Sequence, residues 1–114
     1  MNYTFKKQDW NGTPIYTIIS DQKLLENFGS WGWTPNKIQD IIEGVQLSKT
    51  KSYGKEYNWS SEDLELYANK RGVLIIDMVM QRAGQKDPSK STLQVSHEDF
   101  IKFLKKFKIF VENN

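Results

Sequence analysis

The stretch Val73-Leu74-Ile75-Ile76-Asp77-Met78-Val79-Met80, residues 73–80, is apolar at both odd and even positions, with a single carboxylate in the middle. A strand apolar on both faces belongs at the centre of a sheet that is covered on both sides. The spacing therefore predicts a strand over 73–82 about which the sheet is built. Upstream, residues 51–59 and 63–69 keep the period of two and are separated by "SSED", while Asn69-Lys70-Arg71-Gly72 supplies the turn into 73–82. The three segments read as a three-stranded meander.

Toward the N-terminus, residues 3–9 and 14–20 form a hairpin around Trp10-Asn11-Gly12-Thr13, because Asn-Gly tolerates the positive φ angles of a tight turn. A short helical segment is expected over 21–28, capped by Ser20 or Asp21, with Leu24, Leu25 and Phe28 on one face and Gly29 as its stop. Thr34 and Pro35 then open a second helix, whose Ile38, Ile41, Ile42 and Val45 make one apolar stripe. Between them lies "FGSWGWTP", residues 28–35. Trp33, just before the cap, is expected to staple the helix to the sheet, leaving Trp31 to face a partner.

Residues 83–92, "AGQKDPSKST", have the content of a solvated loop. Ser96 and Asp99 form a capping-box-like start, after which Phe100, Phe103, Leu104, Phe107 and Phe110 or Val111 line one face of a C-terminal helix. The expected fold is α+β in a single domain over 1–114. An antiparallel sheet of about five strands, hairpin plus meander, packs against two or three helices.

The chain has 114 residues, 38% hydrophobic and 26% charged, which suits one globular core. Cysteine is absent, excluding disulfides and thiolate chemistry. No apolar run approaches the roughly 20 residues of a membrane span, and "MNYTFKKQDW" lacks the charged-then-apolar pattern of a leader, so a cytoplasmic setting without membrane contact is expected. No Walker loop, GxGxxG or GxSxG occurs, and the lone His97 has no partner for zinc. No enzymatic activity, cofactor or metal is expected, and His97, in the first turn of the last helix, reads as a surface residue.

Asp77 must face solvent, a partner or a hydrogen-bond donor, since an unpaired buried carboxylate is costly. As a general base it would need a second catalytic group that the sequence does not identify. The segment Glu56-Tyr57-Asn58-Trp59-Ser60-Ser61-Glu62-Asp63-Leu64-Glu65 combines carboxylates with two rings. That is the composition of a surface that docks onto a basic protein, or of a solvated hairpin whose charges keep an edge from aggregating. The candidate partner-binding residues are Glu56, Tyr57, Trp59, Glu62, Asp63, Glu65 and Trp31. Lys102, Lys105, Lys106 and Lys108 give the last helix a basic face, on which an alternative of nucleic-acid binding rests, with Trp31, Trp33, Tyr53 or Trp59 stacking on bases.

Three stretches resemble, in order and spacing, the small bacterial YacL-like family: "MNYTF" at the start, "GKEYNWSSEDLELYAN" over 54–69 and "SHEDFIKFLKKFKIFVE" over 96–112. The matching positions are Gly54, Glu56, Tyr57, Glu65, Ala68, Asn69, Glu98, Asp99 and Phe100. After Asn69 the acidic, Tyr-rich segment of that family is replaced by "RGVLIIDMVMQRAGQKDPSK". The resemblance implies a fold and a bacterial cytosolic setting, with a nucleic-acid-binding accessory role as the alternative function. The chain also looks like the immunity proteins of contact-dependent growth inhibition and other polymorphic toxin systems. That likeness of type implies a partner that is a cognate toxin, in particular a basic nuclease domain, neutralised by stoichiometric binding.

Overall fold

Phe100, Phe103, Phe107 and Phe110 put four rings on the C-terminal helix, a large apolar surface if that helix met only one neighbour, and the fold answers by surrounding it. A computed structural model describes residues 1–114. The order is β1 (Tyr3–Trp10), β2 (Thr13–Ser20), α1 (Lys23–Glu26), β3 (Ser30–Trp31), α2 (Pro35–Leu47), a 3₁₀ turn (Ser48–Thr50), β4 (Tyr57–Ser60), β5 (Leu64–Asn69), β6 (Gly72–Asp77), α3 (Met78–Arg82), α4 (Pro88–Ser91), β7 (Thr92–Val95) and α5 (His97–Glu112).

The class is α+β, but the single sheet of about five strands is replaced by two antiparallel sheets, β1-β2-β3 and β4-β5-β6-β7. No strand of one pairs with a strand of the other. The reason lies in α5, whose buried residues His97, Phe100, Ile101, Phe103, Leu104, Phe107 and Val111 cover an arc wider than the roughly 100° stripe that one neighbour can hide. Tyr3 and Phe5 of the first sheet meet Phe103, Phe107 and Phe110 on one side, with ring centroids 5.0–6.0 Å apart. Phe28 meets Phe100 and Phe103 on another, and α2 packs its Ile38, Ile41, Ile42 and Val45 into the same core of 20 buried apolar residues.

The hairpin forms as its sequence dictates: Asn11 and Gly12 take φ of 52° and 88°, and Pro14 lies opposite Asp9. Thr34 Oγ1 accepts from Lys37 N–H at 3.2 Å with Pro35 at the first helical position, as expected. The first helix is shorter than expected, and neither Ser20 nor Asp21 caps it; Gln22 stands at its N-cap without a side-chain bond. Ser20 Oγ instead accepts from Gln22 N–H, and Asp21 Oδ1 accepts from Asn2 N–H. Gly29 follows α1 for a different reason from a left-handed helix stop. A Cβ there would come within 3.0 Å of Tyr16 O and 3.2 Å of Ile18 N, so glycine lets the chain run against β2.

Two strand expectations and one loop expectation are corrected. The segment 51–59 is strand only from Tyr57, because Ser52–Lys55 closes a turn through Lys55 N–H to Ser52 O. The segment 73–82 is strand only to Asp77. Its Oδ1 accepts from Met80 N–H at 3.0 Å, so the carboxylate that interrupts the apolar run is a helix N-cap and residues 78–82 turn into α3. The stretch 83–92 is not all loop: Asp87 and Pro88 start α4 as Thr34 and Pro35 start α2, and Thr92 begins β7, which pairs with β6. β6 is therefore central in its sheet, as expected, but it is covered on one face only. Val73, Ile75 and Asp77 are buried, whereas Leu74 and Ile76 are half-buried beside an open groove. Five helices are present rather than two or three, three of them with four or five residues. His97 is also corrected: it is 9% exposed, and its Nε2 lies 2.7 Å from the Asn69 carbonyl, tying the start of α5 to the β5–β6 turn. No helix is long and apolar enough to cross a membrane.

Candidate functional site: an acidic cleft over aromatic rings

The segment after α1, the first turns of α2 and the β4–β5 hairpin converge on a cleft of about 610 Å³. Strand alternation decides what reaches it. Tyr57 and Trp59, two apart on β4, sit on the inner face opposite Ala68 and Leu66, while Asn58 and Ser60 take the outer face.

The floor is a stack of rings. Trp59 lies between Phe28, at 5.5 Å and 15°, and Trp33, at 5.9 Å and 24°. Trp33 in turn stands edge-on to Phe107 at 5.6 Å, and its Nε1–H donates to the Phe28 carbonyl at 2.6 Å. It thus packs its helix onto the core as its place before the cap predicts. Tyr57 lies flat against Gly44 of α2, where any larger side chain would collide with the ring. Burial raises the Tyr57 hydroxyl above the ordinary tyrosine pKa, and the Asp40 carboxylate raises it further, so it remains a neutral group at the wall of the cleft. Trp31 is 71% exposed beside Gly32, whose φ is 83°.

The rim carries charge. Asp40 from α2 and Glu62 and Asp63 from the β4–β5 turn line the cleft, and none of the three has an ion partner within the chain. The one lysine there, Lys37, donates from Nζ to the Gly32 carbonyl at 2.9 Å. The turn itself is held in place: Ser61 Oγ accepts from the backbone N–H of Asp63 and Leu64, Arg82 Nη2 donates to the Glu62 carbonyl, and Met78 N–H donates to the Asp63 carbonyl. The result is a rigid aromatic surface edged with free carboxylates, suited to a cationic side chain that stacks and pairs at once.

Of the seven residues singled out from the sequence, Tyr57, Trp59, Glu62, Asp63 and Trp31 line this cleft. Glu56 and Glu65 do not. Glu56 accepts from Gly54 N–H at 2.6 Å and borders a separate groove with Tyr53, Tyr67, Arg71, Leu74 and Ile76. Glu65, opposite Ile76, points with them to the outer sheet face. There the Tyr67 hydroxyl has its pKa raised by burial first, then by Glu65 and Glu56. Asp40, Lys37, Asn27 and Ser61 join the cleft without having been marked in the sequence. The signal for two of them was present: Lys37 and Asp40 are three apart on the helix that Trp33 introduces, off its apolar stripe.

Asp77 is 8% exposed, and both its oxygens are engaged, Oδ1 by Met80 N–H and Oδ2 by Asn27 Nδ2 at 3.2 Å. This is a structural carboxylate. The lysines of α5 do not form one free basic face. Lys108 Nζ is bound to Gln39 Oε1 at 3.0 Å and lies 3.8 Å from Glu112, and Lys106 Nζ stands 5.7 Å over the Tyr3 ring. Lys102 and Lys105 are left to solvent. No group of three or more His, Asp or Glu side chains is placed to hold a metal ion. In comparisons with known proteins, no family model matches the chain, and no curated protein or solved structure matches it at a significant level.

Proposed function

We propose that the protein is an inhibitor of the immunity type, which neutralises a cognate toxin, a basic nuclease domain, by stoichiometric binding in the cytoplasm and performs no chemistry of its own. The observation that carries this reading is the cleft rim, where Asp40, Glu62 and Asp63 stand without ion partners around the rings of Trp31, Trp33, Tyr57 and Trp59. A nuclease holds phosphates with Lys and Arg side chains, and carboxylates presented by an inhibitor compete for those cations. Charge then steers the encounter, while a guanidinium stacked on an indole face anchors it. Trp31 is the ring with most surface left to bury.

The test is co-expression with the toxin encoded beside this chain, followed by binding measurements on the purified pair. Glu62→Lys with Asp63→Lys should slow association and weaken the complex roughly ten-fold or more, with the effect shrinking at high salt. A toxin that forms no complex with the wild-type chain, and kills cells that express it, sinks the reading.

A further inference from the structure

β1 is an edge strand, paired with β2 on one side and with nothing on the other. Its second half, Lys6 to Trp10, is exposed at every position, because the hairpin tip extends past the residues that pack on α5. Trp10 is 68% exposed there. Such an edge is a template for another strand, and its composition decides which strand fits.

The hydrogen-bonding parity of the edge follows from the turn. A two-residue loop is closed by a hydrogen-bonded pair, here Trp10 with Thr13, so Gln8 and Lys6 also direct their backbone groups to β2. Pro14, which has no N–H, falls opposite Asp9 at a position where none is needed. Lys7 and Asp9 therefore present their N–H and C=O groups at the free edge. Two identical edges can pair antiparallel about a two-fold axis only if that axis passes through a residue, since otherwise outward groups would meet inward ones.

Among the registers centred on the exposed half of the strand, Lys6 to Trp10, the charges select one. An axis through Lys6, Lys7 or Asp9 sets like charges opposite each other. An axis through Trp10 runs past the Asn11-Gly12 turn and leaves almost no ladder to form. An axis through Gln8 places Lys7 opposite Asp9 of the second copy, twice by symmetry, and Lys6 opposite Trp10 of the second copy, also twice. The first pair is an ion pair on one face and the second a cation–π contact on the other. We infer that the protein self-associates through the β1 edge in this register, joining the two three-stranded sheets into one of six strands. The occupant of the edge is a second copy of this chain. The cleft described above lies elsewhere, so the dimer does not depend on what that cleft binds.

The experiment is sedimentation of the whole chain over a range of concentrations, with three samples beside the wild type: Lys7→Glu, Asp9→Lys, and an equimolar mixture of the two. In Lys7→Glu the strand carries two acids and in Asp9→Lys two bases, so each alone sets like charges together across the axis. Each should dimerise roughly ten- to thirty-fold more weakly than the wild type. In the mixture, the acid introduced at position 7 of one chain would face the base introduced at position 9 of the other, and Asp9 of the first chain would face Lys7 of the second. Association should then return to within a few-fold of wild type. Hydrogen exchange should slow at the amides of Lys7 and Asp9 as the wild type is concentrated. A wild type that stays monomeric to roughly millimolar concentration would overturn the proposal. So would a dimer whose strength ignores both variants, or a mixture that associates no better than its components.

Discussion

Gly44→Ala sets two known effects against each other at the wall of the cleft. Gly44 lies inside α2 with ordinary helical backbone, not among the residues of positive φ, so alanine gains the usual helix propensity of about 0.8–1.0 kcal/mol. Its methyl group, however, would fall on the ring of Tyr57, which must move. Overpacking of this kind costs about 1–3 kcal/mol, because the methyl meets Cδ1, Cε1 and Cζ of a stiff ring whose backbone is fixed by pairing with Ala68 on β5. The sum is a destabilisation of zero to about 2 kcal/mol, where propensity alone would stabilise. Tyr57→Ala removes the obstacle. In that background Gly44→Ala should stabilise by about 1 kcal/mol, so the cycle shows a coupling of about 1–3 kcal/mol between the two sites. Urea unfolding of the four proteins, with equal slopes, measures all of it. If Gly44→Ala stabilises the wild type and the Tyr57→Ala variant equally, the ring does not lie on the glycine and this wall of the cleft is built differently.

Asp77→Ala removes both the cap of α3 and the acceptor for Asn27, and should cost about 2–3 kcal/mol in urea unfolding, whereas Asp77→Asn retains most of the stability. The hydroxyls of Tyr3, Tyr57 and Tyr67 are all raised by burial first, with carboxylates adding to each. Their neutral forms are favoured in the folded chain, so the contribution to stability is complete below the unfolded tyrosine pKa of about 10 and is lost as pH climbs through the higher folded values. The unfolding midpoint should hold steady up to that pH and then fall, less steeply in Tyr57→Phe; an unchanged slope in that variant would remove Tyr57 from the account.

Local chemistry made the hairpin and the two long helices legible, because Asn11-Gly12, Thr34-Pro35 and Ser96 state their geometry within a few residues. The same signature at Asp87-Pro88 is harder to see, since α4 has one buried residue, Ser91, and no apolar stripe to follow the cap. β3 has two residues and exists only through its pairing of Ile15 with Trp31 and Tyr16 with Ser30, so no periodicity could announce it. The division into two sheets was hidden for another reason. Alternation along a strand reports which face is apolar, but not which neighbour takes its edge, and that was settled by how much of α5 had to be covered. The acidic hairpin shows the same limit at the site: a cluster continuous in sequence is sorted by a period of two, which sends Tyr57 and Trp59 inward and Glu65 outward.

The cleft and the core share their rings, and this decides how binding can be probed. Trp59 touches Phe28 and Trp33, Phe28 touches Phe100 and Phe103, and Trp33 touches Phe107. A truncation of Trp33 or Trp59 would therefore open the middle of the molecule along with the site, and a loss of binding would report on folding as much as on contact. The carboxylates of Glu62 and Asp63 are exposed and ion-unpaired, and their turn is held through its backbone and Ser61. Reversing them changes what a partner meets while leaving the floor where it is. On the reading proposed above, a floor already packed into the core would lose little ordering entropy on binding, and the charge at the rim, rather than any rearrangement of the rings, would set the rate of capture.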